Sequence, residues 1–176
     1  MKQLWKKFDK LSDDAYMSIA RQENRMDLWD QGFETLLEII RTGRAQDPGF
    51  ARELIQLDDD TDFAHNVCDW LADYLDELDE QKQYEKLEDT CRGILELFDW
   101  KADSPSDIRF QISLALRAQG KKEEALDFCR DWYGEEPDNT LAGAALIYCL
   151  IESGDMDEAE EIVGRCIGEN TACDDN

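Results

Sequence analysis

His65 is the single histidine of the sequence, and it stands three residues before Cys68, with Asp62 and Asp69 close by. On a helix that spacing puts imidazole and thiol on neighbouring positions, where one could serve as base and the other as nucleophile. A lone helical histidine is more commonly structural. The stretch Asp58–Asp62 reads DDDTD, and Asp58, Asp60 and Asp62 alternate as the ligands of a calcium loop do. The sixth loop position should be glycine and is Phe63; the twelfth should be glutamate and is Asp69. The better expectation is a loop in which Thr61 or Asp62 caps the next helix. The six cysteines are Cys68, Cys91, Cys129, Cys149, Cys166 and Cys173, and no two have the C-x-x-C spacing of a zinc or redox site. Five fall in helical patterns and Cys173 in the tail, as reduced thiols of a cytosolic protein would. There is no G-x-S-x-G, no phosphate-cradling glycine loop and no histidine pair. With 43 acidic residues, carboxylates meet by chance everywhere, so their abundance assigns no catalytic pair. The expectation is a protein without catalytic activity, metal or cofactor.

Composition narrows the class of partner. The net charge of −24 and pI of about 4.2 repel nucleic-acid phosphates and anionic membranes and attract basic partners. Hydrophobic residues make up 42%, enough for a folded core despite the charge. Only 3 prolines and 10 glycines, with few β-branched runs, favour an all-α chain. The opening MKQLWKKFDKL is basic and apolar but lacks the apolar core and cleavage site of a signal peptide. No run of 18 apolar residues exists to span a membrane, so a cytoplasmic location is expected.

The elements that would position a site are written twice. A shift of 34 residues lays Gly120 on Gly154, Glu124 on Glu158, Ala125 on Ala159, Leu116 on Leu150 and Ile112 on Leu146. It also lays Phe128 on Ile162, Cys129 on Val163, Tyr133 on Ile167 and Gly134-Glu135 on Gly168-Glu169. A repeat of this period signals stacked helical units. In the first copy Ile108, Ile112, Ala115 and Leu116 form one helical face, and Ala125, Leu126, Cys129, Trp132 and Tyr133 another. Gly120 stops the first helix because glycine tolerates the left-handed cap. Glu123 and Glu124 sit in the second helix's first turn, where the macrodipole favours anions. The segments LRAQGKKEEALDFCRDWYGEEPDN and LIESGDMDEAEEIVGRCIGEN resemble tetratricopeptide repeats, over residues 106–168, about a third of the chain. The resemblance implies antiparallel helical hairpins stacked as a short right-handed solenoid with a concave, protein-binding face.

The remaining chain is helical but less regular. Leu4, Trp5, Phe8 and Leu11 form an apolar face, with Lys2, Lys6, Lys7 and Lys10 as the one basic cluster, which reads as a first helix docked on the body. Ser12 reads as an N-cap before a stripe of Ala15, Tyr16, Ile19 and Ala20, and Asn24-Arg25 as a break. Trp29, Phe33, Leu36, Leu37 and Ile40 resume the pattern until Gly43, and Asp47-Pro48 reads as the start of another helix carrying Phe50, Ala51, Leu54 and Ile55. Val67, Trp70, Leu71, Tyr74, Leu75 and Leu78, then Tyr84, Leu87, Cys91, Ile94, Leu95 and Phe98, predict a further hairpin. In it Leu87 replaces the repeat's small residue and Lys82 its turn glycine. Ser104-Pro105 with Asp107 reads as an N-cap, first-turn proline and capping-box partner. The helix from Thr140 is apolar almost all round, which predicts burial on every side. The expected organisation is an N-terminal region over 1–57 (a degenerate repeat or cap), an atypical hairpin over 58–105, two repeats over 106–168 and a polar tail over 169–176, in one solenoid.

Helical periodicity together with the resemblance assigns the concave face. Phe110, Leu114, Arg117 and Ala118 come from one unit, and Leu141, Ala144, Tyr148, Ile151 and Glu152 from the next. Asp69, Ala72, Asp76, Asp79 and Glu80 come from the atypical unit. Some members of the family clamp a peptide's terminal carboxylate with lysine, asparagine and arginine on this face. The matching positions here are Phe110, Leu114, Ala144 and Tyr148, so acidic peptides are poor ligands. The partner-binding set is Phe110, Leu114, Arg117, Tyr148, Ile151, Asp76, Asp79 and Glu80. The expected role is a scaffold or adaptor taking an apolar or basic peptide or helix. Three alternatives stay open: a nucleic-acid decoy that fills a basic protein channel, an enzyme with an unread site, and a groove filled by the chain's own first helices. The end of an array needs covering, which leaves homodimerisation open as well.

Overall fold

The computed structural model describes residues 1–23 and 25–167; the expectations for Asn24, for Gly168-Glu169 and for the tail with Cys173 lie outside them. Among the described residues there are nine helices and no strand. They are α1 (Lys2–Ala20), α2 (Met26–Gln46), α3 (Gln56–Asp59), α4 (Val67–Glu80), α5 (Tyr84–Leu97), α6 (Ser106–Ala118), α7 (Lys122–Glu135), α8 (Thr140–Ser153) and α9 (Met156–Ile167). Two compact units form: Met1–Lys82 with Ile94–Ser104, and Gln83–Gly93 with Pro105–Asn176.

In the first unit α1 packs along α2, and α4 packs on α2 and α3. Its core is aromatic. The Trp29 and Trp70 rings stack at 5.5 Å, Tyr74 continues the stack at 5.7 Å from Trp70, and Phe8 meets Trp70 edge-on at 4.9 Å. Gly32 makes this possible, because a Cβ there would lie 2.5 Å from Trp70 Cζ2.

Four local expectations fail here, three of them because a long-range or in-helix partner claims the polar group. Ser12 caps nothing; α1 runs through it, and its hydroxyl donates to the Phe8 carbonyl at 3.0 Å. The stripe on α1 turns outward at Tyr16, Ile19 and Ala20, while Ala15 and Ser18 are buried. Asp47-Pro48 opens a turn, not a helix. Asp47 Oδ1 accepts the Gly49 amide, and the Arg44 guanidinium takes the carbonyls of Phe50, Ala51 and Leu97, leaving the first two no i+4 amide to accept. Ala51 there has φ +47°. Neither Thr61 nor Asp62 caps α4: Thr61 donates back to the Leu57 carbonyl, and buried Asp58 accepts the amides of Val67 at 2.6 Å and Cys68 at 2.9 Å. The aspartate run is thus anchored by its first member as a cap acting from outside the helix, rather than arranged around an ion.

In the second unit α6 packs on α7 and α8, and α8 on α7 and α9. The duplication is visible bond by bond. Lys121 N–H donates to the Leu116 carbonyl and Asp155 N–H to that of Leu150; Gly120 donates to Arg117 and Gly154 to Ile151; Ala125 donates to Lys121 and Ala159 to Asp155. Gly120 and Gly154 carry φ of +76° and +83°, the cap geometry that glycine adopts without strain. Lys82, in the atypical unit, holds φ +56° where the repeats use glycine. The Ser104-Pro105 expectation shifts by one residue: α6 starts at Ser106, Pro105 occupies the cap position without a side-chain cap, and Ser106 Oγ accepts from Asn139 Nδ2 at 2.7 Å.

Gly32→Ala will set a Cβ against a locked indole and destabilise the protein by about 1–2 kcal/mol, the overpacking cost exceeding the helix-propensity gain. Gly93→Ala, with nothing within 4 Å of its Cβ, will instead stabilise by about 0.5–1 kcal/mol. Urea denaturation midpoints of the two variants give the comparison.

Candidate functional site

Phe110, Leu114 and Arg117 are spaced i, i+4, i+7 along α6, and Leu141, Ala144, Tyr148 and Ile151 line one face of α8. The opposite faces of these helices are fully packed, through Ile112, Ala115 and Leu116 on α6 and Ala142, Ala145, Leu146, Cys149 and Leu150 on α8. That burial fixes the rotation of each helix and leaves the first set turned outward. Phe110, Leu114 and Arg117 are half-buried. Tyr148 is 49% exposed and Ile151 47% exposed. The expectation that α8 is covered on every side is therefore corrected: its fourth face is open.

Asn139 starts α8, its Oδ1 accepting the amides of Leu141 and Ala142 while its Nδ2 donates to Ser106 and Glu136. This side chain ties the start of α6 to the start of α8. At the far end, the Arg117 guanidinium lies over the Tyr148 ring at 5.0 Å and donates to Glu152 Oε1, with Nε at 3.0 Å. Its charge is thus spent within the wall, and its flat face extends the apolar surface. Glu88 supports the turn between α6 and α7. Its carboxylate accepts from Arg92 Nε, Gln119 Nε2 and Lys121 Nζ, each at 2.9 Å. Burial pushes its pKa upward, but hydrogen bonds from Lys121, Gln119 and Arg92 outweigh burial and hold it below the ordinary glutamate value.

The acidic members of the expected site, Asp76, Asp79 and Glu80, belong to the first unit, on α4. Asp76 and Glu80 are exposed and Asp79 half-buried. Glu77 between them is raised by burial and then by repulsion from Glu80, Asp73 and Asp76. The same unit has a cleft of about 570 Å³ lined by Asp9, Asp13, Asp69 and Asp73 together with Tyr16 and His65. Of these, only Asp69 was assigned to a binding face by sequence reasoning. Tyr16, placed by its spacing in the apolar stripe of α1, donates its hydroxyl to Asp73 at 2.7 Å, and burial, then that bond, then the Asp73 and Asp69 charges raise its pKa.

The nucleophile–base reading of His65 and Cys68 does not assemble. His65 Nδ1 is 2.5 Å from Asp9 Oδ1, and the ring stacks on Trp5 at 4.1 Å, so it clips α1 to the loop before α4. Cys68 sits beside Asp58, and burial followed by that carboxylate raises its thiol pKa away from the reactive range. Among the described residues no three His, Cys, Asp or Glu side chains gather to hold a metal ion, and no helix is long and apolar enough to cross a membrane.

Residues 116–171 match the sequence model of the tetratricopeptide repeat. That stretch holds the end of α6, all of α7 and α8, and α9. No curated protein and no solved structure gives a match.

Glu88 titrates lower in the folded chain than in the unfolded one, so its contribution is complete above the ordinary glutamate pKa and is lost as pH falls through the depressed value. Thermal midpoints of the native chain will therefore drop on acidification below about pH 4.5. Glu88→Gln will lower the midpoint at neutral pH and flatten that part of the pH profile.

Proposed function

We propose that this chain, with a tetratricopeptide repeat at residues 116–171, is a non-catalytic scaffold or adaptor that binds an apolar or basic helix or peptide. Tetratricopeptide repeats generally mediate protein–protein contacts, and the family is typically non-catalytic. The observation that carries the reading is the open apolar face of α8. Tyr148 and Ile151 stand half out of a helix that is otherwise packed, and Phe110 and Leu114 of the neighbouring α6 extend the same surface. Contiguous exposed apolar surface marks an interaction site. Arg117 is paired with Glu152, so that guanidinium is not left to recruit an acidic ligand there. Asp76, Asp79 and Glu80 supply negative charge on α4, suited to steering basic residues of the partner. A cytoplasmic setting suits the reduced cysteines of the described chain.

A second reading is the decoy that occupies a basic channel of a nucleic-acid-binding protein. It is supported by the exposed carboxylates Asp69, Asp73, Asp76 and Glu80, which follow one another along α4.

Fluorescent peptides of amphipathic helical sequence, one set basic and one acidic, separate these readings. The basic set will bind and the acidic set will not. Tyr148→Ala and Ile151→Ala will each weaken binding about tenfold, or about 1.4 kcal/mol. Asp76→Lys with Asp79→Lys will slow association and reduce its salt dependence. Equal binding of both sets, or a Tyr148→Ala variant with unchanged affinity, would remove the groove as the site. Failure of both peptide sets, with capture of a DNA-binding protein that duplex DNA displaces, would favour the decoy.

A further inference from the structure

We propose that Cys129 of α7 and Cys149 of α8 form an oxidisable pair that a hydroperoxide converts to an intramolecular disulfide. The two sulfur atoms stand 3.5 Å apart, thiol to thiol. They are 0% and 2% exposed, respectively. A disulfide needs about 2.05 Å, so closure asks for about 1.5 Å of approach, within the reach of side-chain rotation and a small slide of one helix. α7 and α8, which carry the two cysteines, pack directly on each other. The other described cysteines lack this arrangement. Cys91 is equally buried, and burial alone pushes its thiol up to about 12. Cys68 lies against a carboxylate that holds its proton on.

The hydrogen bond between the two sulfurs lowers the Cys149 thiol, and the Arg117 guanidinium adds to this, against burial and the Glu152 charge. Either thiol can ionise first, and both orders give the same disulfide. Local opening of α8 admits the oxidant. In the order that starts at Cys149, its thiolate attacks one oxygen of hydrogen peroxide, the O–O bond breaks, and the departing hydroxide takes up the proton Cys149 released and leaves as water. Cys149 is then a sulfenic acid. The Cys129 sulfur attacks that sulfur, the S–S bond forms and the S–O bond breaks, and hydroxide leaves as water with the Cys129 proton. Two thiols are oxidised and one peroxide is reduced to two waters.

The test is made on the full folded chain. It is exposed to hydrogen peroxide, its remaining thiols are alkylated under denaturing conditions, and the digest is mapped by mass spectrometry. The expected product is a peptide pair joined through Cys129 and Cys149, lighter by two hydrogens and separated by dithiothreitol, with Cys91 still alkylated as a thiol. In Cys149→Ser the joined pair will be absent, and circular dichroism will verify that the variant is folded. The wild-type map decides the matter even if the variant does not fold. Alkylation of both Cys129 and Cys149 after treatment, a bridge from either to another cysteine, or their oxidation to unlinked sulfinic acids would overturn the assignment.

Discussion

The second unit depends on how two helices are stopped. The carbonyls of Leu116 and Leu150 are claimed by amides just past a left-handed glycine, and Lys121 and Asp155 then launch the next helix in the same direction relative to the first. Any residue with a Cβ at Gly120 or Gly154 would resist that backbone, and the returning helix would lose its angle. Because the returns of α7 and α9 are fixed, the buried faces of α6 and α8 are fixed too. The outward side chains follow by elimination. Phe110, Tyr148 and Ile151 are therefore placed by hydrogen bonds on the far side of the helices that carry them.

Charge acts differently in the two units. With 19 basic residues against 43 acidic ones, cations are scarce. Those of the second unit are drawn into specific structural pairs: Arg92 with Glu88 and Glu124, Arg109 with Glu135 and Glu136, Arg130 with Glu158. Each joins residues on different elements except the in-helix bond of Arg92 to Glu88. In the first unit Arg44 serves backbone carbonyls instead, and burial, then the nearby Arg52 charge, lowers its pKa. Surface pairs of this kind contribute little individually. In the first unit, acidic groups crowd one another along α4: the Glu77 carboxyl is raised by burial and then by the charges of Glu80, Asp73 and Asp76.

Periodicity made the helices legible, and local capping rules did not make their junctions so. Val67 to Leu78 are buried as their spacing predicts, and the Gly120 and Gly154 turns stand where the 34-residue repeat puts them. Ser12, Asp47 and Thr61 all carried cap-like sequence, and each was overruled. Asp58 reaches nine residues ahead to Val67, and Arg44 reaches across to Leu97. No local window contains such partners. Tyr16 shows the same limit: its place in an apolar stripe does not say whether its hydroxyl meets solvent or, as here, the Asp73 carboxylate. On α6 and α8, helical phase together with the repeat resemblance picked out Phe110, Leu114, Tyr148 and Ile151, side chains that the fold leaves at least partly exposed. Asn139, directly before the apolar run of α8, carries the N-cap signal of its residue type; Glu88 carries none that sets it apart from the other acids of the chain.

The open face of α8 has an energetic consequence that argues against its being incidental. Half-exposed tyrosine and isoleucine gain little from folding at these positions, and polar residues there would cost no packing. Nor is the ring left loose. Arg117 lies flat over Tyr148 and is itself held by Glu152, an arrangement worth about 0.5–1 kcal/mol at an exposed site. A ring already fixed in one orientation loses less conformational freedom when a partner covers it, so more of the burial energy is expressed as affinity. The same pairing keeps the guanidinium from acting as a free charge. On the proposed reading, a ring held in this way is suited to being covered by a partner, and the stability of the chain alone does not require it.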